Sequence, residues 1–279
     1  MKQIRDKVVV ITGAGSGIGR ALALNLATRG ARLALSDVNL DGLAQTVSAA
    51  RLCGAGEVIS DALDVADRAA FEEYAAHVIA HFGVVNVVIN NAGVALSGRI
   101  NDLEWTDIDW IIGIDFWGVV HGTKFFLPAL IDSGDAHIIN ISSLFGLVSM
   151  PDQGFYNAAK YAVRGFTEAL REEMLIDGHR VGVTSVHPGG IKTAVARSAR
   201  VSAKDDQAAT AKLFDEKMAR MEPEKAAEII VTHGLLKRKA RVLVGIDAHL
   251  IHAFGKFTGS KYQDIVALGA RRVMPKKRG

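Results

Sequence analysis

Val8-Val9-Val10-Ile11-Thr12-Gly13-Ala14-Gly15-Ser16-Gly17-Ile18-Gly19 is a short β-branched run that stops in glycines and then opens into residues with helical spacing. A strand that turns at once into a helix through glycines is the context in which a glycine pattern implies dinucleotide binding. Gly13 and Gly17 let the backbone approach a pyrophosphate, and Gly19 lets helix and strand pack closely. The helix N-terminus, with Ser16 and Ile18 in the loop, adds unpaired N–H groups and positive potential. Without a ligand the same glycines would make only a tight strand-to-helix connection.

Outward from that loop, short apolar runs alternate with longer amphipathic ones. Val8 to Thr12, Leu33 to Ser36, Val58 to Ile59 with neighbours, Val87 to Asn90, His137 to Ile141, Val181 to Val186 and Arg241 to Val244 read as strands. Ile18 to Arg29, Leu40 to Arg51, Ala66 to Phe82, Thr106 to Ile131, Phe155 to Ile176 and Glu224 to Leu236 read as helices, with Pro128 expected to kink or end the fourth. This pattern predicts an α/β fold, a single Rossmann-type doubly wound parallel sheet of six to seven strands with helices on both faces. With no linker or repeat in view, residues 1–279 are expected to form one domain. Residues 191–221 lose the strand pattern and read either as a mobile lid over a site or as a surface helix pair. Residues 246–279 form a C-terminal extension that could shape a pocket mouth or an oligomer contact, and the closing Pro275-Lys276-Lys277-Arg278-Gly279 reads as a solvated tail.

Composition excludes several classes. A formal net charge of +3 is too small to imply nucleic acid, and one cysteine, Cys53, excludes an intrachain disulfide framework. No uncharged apolar stretch is long enough for a signal segment or a membrane span, so no stable membrane insertion is expected and the chain reads as cytoplasmic.

At the cofactor end, Asp37 lies 18 residues beyond Gly19, where a strand-end carboxylate can accept from ribose hydroxyls and repel a 2′-phosphate. No Arg or Lys stands at positions 14, 16 or 38, so NAD is expected over NADP. Asp64 and Val65 follow the third strand, where a carboxylate can cap the helix near Ala66 or accept from an adenine amino group. Asn90-Asn91-Ala92-Gly93 ends the fourth strand with small and amide residues, at a ligand crevice or in an asparagine-stabilised turn.

Tyr156 and Lys160 stand one helical turn apart on one face. A phenol titrating near ~10 donates protons poorly at neutral pH, and an adjacent ammonium favours the phenolate. Ser143 precedes the tyrosine by 13 residues. With T-G-x-x-x-G-x-G at Thr12 to Gly19, N-N-A-G at Asn90 to Gly93, that serine, Y-x-x-x-K at 156 to 160 and P-G from Pro188, the chain resembles the short-chain dehydrogenase/reductase family over residues 5 to about 245.

The resemblance implies that Tyr156 is the general acid/base, that Lys160 lowers its pKa and holds the nicotinamide ribose, and that Ser143, not Ser142, hydrogen-bonds the reacting oxygen. It also implies that Pro188, Gly189, Ile191 and Thr193 meet the nicotinamide and pyrophosphate, and that His187 is structural. One position departs from the family: Asp115 stands where an asparagine is usual, on the route that links the lysine to solvent. Phe145, Leu147, Val148, Met150 and Phe155, with Val195 at the presumed lid, suggest an apolar pocket. The reading is therefore hydride transfer between NAD(H) and a hydrophobic secondary alcohol or ketone, steroid-, lipid- or aromatic-like, with Ser143, Phe145 and Tyr156 meeting the substrate. A homodimer or homotetramer is implied, through Phe116, Trp117, Val120, Phe125 and Phe126 with Val163, Phe166 and Leu170. Two rivals stay open: a catalytically silent nucleotide-sensing or scaffold protein, and epimerisation or dehydration of nucleotide sugars on the same fold.

Overall fold

A computed structural model of the chain describes residues 3–193, 195, 199–208 and 219–273. Seven strands form one parallel sheet: β1 (Val8–Thr12), β2 (Arg32–Asp37), β3 (Glu57–Ala62), β4 (Val87–Asn90), β6 (Ala136–Ile141), β7 (Val181–Pro188) and β9 (Arg241–Val244). Their order is β3-β2-β1-β4-β6-β7-β9. The chain reverses direction across the sheet between β1 and β4, so a crevice opens at the C-terminal ends of those two strands. Val9 pairs with Leu33 on one side and Val87 on the other, and the central strands β1, β4 and β6 are buried throughout. That two-sided burial is why they read as unbroken apolar runs rather than alternating ones.

Helices α1 (Gly17–Ala27) and α2 (Leu40–Leu52) cover one face together with α7 (Pro223–Ile229), through Leu22, Leu26, Val47 and Ala227. Helices α3 (Arg68–Phe82), α5 (Gly118–Asp132) and α6 (Gly154–Ile176) cover the other, through Phe71, Tyr74, Phe126, Leu130 and Leu170.

Several boundaries differ from the sequence expectation. The third helix starts at Arg68 because Asp67, not Asp64, caps it, accepting from the N–H groups of Ala69 and Ala70 at 2.9 and 3.1 Å. The long fourth helix is not interrupted at Pro128, which lies inside α5 close to its end. Its irregularity comes earlier: α4 (Trp105–Ile112) passes into α5 through a wide π turn, Gly113–Trp117. Such turns accommodate one extra residue and re-aim side chains. A second π turn, Ile230–Leu236, continues α7.

A two-stranded parallel pair absent from the sequence reading joins β5 (Leu96–Ser97) to β8 (Arg200–Val201). The extension after β9 holds α8 (Ile246–Thr258) and α9 (Tyr262–Val273). Of the expected lid, residues 194, 196–198 and 209–218 lie outside the described residues, as does the basic tail from 274. The two ends of this segment are paired to each other, Lys192 N–H donating to Met221 O at 2.9 Å and Arg220 N–H to Gly190 O at 3.0 Å.

Candidate active site

The glycine loop closes the bottom of the crevice. Gly13 and Gly17 have φ of 66° and 51°, which a side chain disfavours. A Cβ on Gly19 would run into the Gly13 carbonyl, and one on Gly13 would come within 2.7 Å of Ala92 Cα. Ser16 caps α1 with an exposed side chain that makes no capping bond, and no acidic residue occupies the first turn. The amides at that helix end are therefore free to receive an anion, and the residues fit a dinucleotide pyrophosphate. Thr193 approaches the same place, its methyl 3.1 Å from where a Cβ on Gly17 would stand.

Asp37 ends β2 as expected and is held on both carboxylate oxygens, accepting from Gly15 N–H at 2.7 Å and Asn39 N–H at 2.8 Å. Arg20, which the sequence reading passed over, braces the loop from behind by donating to the carbonyls of Gly15 and Gly42 at 2.6 and 3.0 Å. Asn91 is tied to the loop as well: its amide donates to the carbonyls of Thr12 and Gly13 at 2.9 and 3.1 Å. The Thr12 hydroxyl oxygen accepts the N–H groups of both Asn91 and Ala92. Exposed Asp64 accepts from Ala66 N–H at 2.9 Å, while buried Val65 packs against Gly118 and gives its carbonyl to His121.

Above the loop lie the titrating groups. The π turn brings Asp115 to full burial, where Oδ1 accepts from Val94 N–H at 2.7 Å and Oδ2 lies 3.1 Å from Lys160 Nζ. Gly93 leaves room for both groups, since a Cβ there would stand 3.2 Å from each. Lys160 Nζ in turn sits 5.6 Å from the centre of the Tyr156 ring.

Burial pushes the Asp115 carboxyl up, against the pull of the Lys160 charge and the Val94 N–H bond. Burial opposes the Lys160 ammonium, but the Asp115 carboxylate and the Tyr156 phenol together hold its pKa above the ordinary value. Burial also raises the Tyr156 phenol, with Lys160 pulling it down, Asp115 pushing it up and a Ser143 hydrogen bond lowering it. The ammonium thus favours the phenolate, and the carboxylate partly cancels that help.

Ser143 caps a short 3₁₀ turn at the end of β6, its hydroxyl accepting from Phe145 N–H at 3.1 Å. Ser142 does a different job, donating its hydroxyl to the Lys160 carbonyl at 2.8 Å. The Phe145 ring meets Tyr156 edge-on, centroids 6.1 Å apart. Val148, expected in the pocket, is instead buried against α8 and α9, in a cluster with Leu144, Ala248 and Tyr262. The extension thus packs on the interval between serine and tyrosine, and Ser149 N–H donates to the Tyr262 hydroxyl at 2.9 Å. A cavity of about 1200 Å³ opens beside that contact, between α9, Ile100, Met150 and the face of α6 that carries Asn157 and Tyr161 rather than Tyr156.

The loop after β7 is held from the end of β9 and from the extension. Gly189 N–H donates to Val244 O at 2.8 Å, and Gly190 N–H donates to the Asp247 carboxylate at 2.6 Å. Pro188 is buried at the end of β7, and Ile191 is buried and pairs with Met221. His187 is buried and neutral, burial pushing its pKa down to about 4. Of the expected subunit face, Phe126, Val163 and Leu170 are core residues, whereas Trp117 remains 49% exposed. The core positions share helical spacing with the exposed ones, and sequence periodicity does not separate them.

No group of three or more His, Cys, Asp or Glu side chains that could hold a metal occurs among the described residues. Nor is any helix among them long and apolar enough to cross a membrane.

The family model described as short chain dehydrogenase matches residues 7–204. A protein of Mycobacterium tuberculosis named "Putative oxidoreductase SadH" is 57% identical over 275 residues, covering 99% of each chain. Among solved structures, a short chain dehydrogenase/reductase from Burkholderia phymatum in complex with NAD superposes with a TM-score of 0.84 at 32% identity, covering 94% of this chain and 96% of its own. An alcohol dehydrogenase from Thermococcus sibiricus complexed with 5-hydroxy-NADP gives a TM-score of 0.72 at 29% identity, covering 86% of this chain and 95% of its own.

Proposed function

The chain belongs to the short-chain dehydrogenase/reductase family of oxidoreductases, and from that premise we propose that it moves a hydride between NAD(H) and a hydrophobic secondary alcohol or ketone. The observation that carries this reading is the buried Asp115–Lys160 pair beside half-buried Tyr156, next to the Asn91–Gly93 turn that packs on the glycine loop. When bound, the nicotinamide supplies the hydride acceptor or donor. The protein's part is to manage the proton and hold the reacting oxygen. In the oxidation direction the Tyr156 phenolate takes the hydroxyl proton, and Ser143 hydrogen-bonds the same oxygen as charge develops on it. Lys160 keeps that phenolate accessible and holds the nicotinamide ribose.

Gly13, Ser16, Gly17, Ile18, Gly19 and Thr193 would receive the pyrophosphate, with Asp64, Val65 and the Asn91–Gly93 turn along the adenosine and Pro188, Gly189 and Ile191 at the nicotinamide. NAD is favoured over NADP because Asp37 is fixed at the ribose edge, and Arg20, the nearby cation, donates to backbone carbonyls. Phe145, with Leu147, Met150 and Phe155, gives an apolar wall suited to a steroid-, lipid- or aromatic-like substrate. Residues 191–221 would close over it, one domain carries the whole reaction, and the working form is a homodimer or homotetramer in the cytoplasm.

Purified protein incubated with NAD or NADP and a panel of hydrophobic secondary alcohols, followed at the reduced-nicotinamide absorbance, tests this. Turnover with NAD is expected, and Tyr156→Phe should lose about 10²- to 10⁴-fold, the usual share of a general acid/base. Undiminished turnover in Tyr156→Phe would overturn the mechanism.

A further inference from the structure

His187 is wholly buried one residue before the end of β7, and both of its ring nitrogens are engaged. Nδ1 lies 2.8 Å from the Ser143 carbonyl oxygen, and Nε2 lies 3.0 Å from Ser185 Oγ on the same side of the strand. A carbonyl only accepts, so Nδ1 carries the proton and Nε2 accepts from the Ser185 hydroxyl. The carbonyl therefore fixes the tautomer, and the Ser185 hydroxyl, able to donate or accept, turns to match it.

The bond matters because of where Ser143 sits. The chain leaves the sheet at Ser142, whose N–H still reaches Val186 O at 2.8 Å. Beyond it the Ser143 carbonyl also accepts from Gly146 N–H at 2.9 Å, but that bond lies within the same small turn and moves with it. The Ser143 hydroxyl is bonded to Phe145 N–H, so the orientation of the 143–145 peptides sets where the hydroxyl points. His187 ties those peptides to β7, and Pro188-Gly189-Gly190 follows directly.

We infer that His187 is a positioning residue: through the Ser143 carbonyl it fixes the Ser143 hydroxyl relative to the loop after β7. The inference rests on the reading of Ser143 as the partner of the reacting oxygen. It assigns no proton transfer to the imidazole. The ring acts as a rigid strut whose length sets the gap between serine and loop.

Nitrogen NMR of the ligand-free protein should show His187 with Nδ1 protonated and Nε2 bare, and an Nε2–H tautomer would overturn the inference. His187→Leu should lower kcat about tenfold while the KM for NAD stays within about twofold, the pattern of a misplaced group rather than lost binding. His187→Asn, which offers an amide N–H near the place of Nδ1–H, should recover most of that loss. Equal losses in the Leu and Asn variants would show packing alone, and an undiminished kcat in His187→Leu would show no role. Should His187→Leu not fold, the tautomer and the Asn variant carry the test. Ser143→Ala separates the two readings. If it keeps turnover, the role given to Ser143 fails; if it loses turnover while His187→Leu does not, this inference alone fails.

Discussion

Two buried sets of polar side chains bridge the α4–α5 rod to α6, about two helical turns apart, and they are built on opposite principles. Nearer the crevice, Asp115 and Lys160 meet as charges beside Tyr156. Deeper, Thr123, Asn90, Asn140 and Thr167 form a neutral chain: Asn90 donates to Thr123 and Asn140 at 3.2 and 2.8 Å, and Asn140 donates to Thr167 at 3.0 Å. The neutral chain fixes the frame at little electrostatic risk. The charged set accepts a desolvation cost beside Tyr156, and each of its members is stable only while the others stay in place.

The sharpest way to break that contrast is Lys160→Met. It strands the Asp115 carboxylate in the interior and should cost about 3–5 kcal/mol of stability at neutral pH, read by urea unfolding, with turnover lost as well. The sign with pH is fixed. Burial raises the Asp115 pKa above its unfolded value, so the folded state binds the extra proton and the variant should regain stability as pH falls. A loss independent of pH would mean that Asp115 does not ionise.

Asp115→Asn sharpens the comparison with a smaller effect. The carboxylate raises the phenol's pKa, so removing its charge should move the rising limb of alcohol oxidation to lower pH. An unmoved profile would make the side chain a bystander, and an alkaline shift would overturn the sign given to its effect. The smallest effect belongs to the neutral chain. Asn140→Ala should cost about 1–3 kcal/mol by taking one hydrogen-bond partner from each of Asn90 and Thr167, equally at pH 6 and 9, and leave the pH–rate profile in place. A shift of that profile would show that the two sets are coupled.

The part of the fold legible in the sequence is the part whose signals are local. The glycine loop, the β-branched strands and the Tyr156–Lys160 spacing need only near neighbours to be read, and six of the seven sheet strands lie within a residue or two of their expected ends. The third is the exception, because β3 alternates burial along an edge and offers only Val58 and Ile59 as a continuous apolar pair.

What escaped depends on partners far along the chain. Nothing in Gly113 to Trp117 announces a π turn, although that turn is what buries Asp115. Val148 and Phe145 look alike in sequence, and only the packing of α8 and α9 shows that Val148 is fully buried while Phe145 is buried in part. His187 reads as a histidine in a strand until the Ser143 carbonyl, 44 residues away, is set beside it.

Asp247 gives the extension a standing that its place after the last strand conceals. A Cβ on Gly189 or on Gly245 would collide with its carboxylate, and the same carboxylate grips the Gly190 amide. The extension and the loop after β7 are thus one interlocking piece drawn from two distant parts of the chain. A chimera that grafts the extension of a relative onto this sheet exchanges the loop's anchor together with the packing on Leu144 and Val148. The loop after β7 and the segment after β6 therefore cannot be altered independently at this end of the molecule.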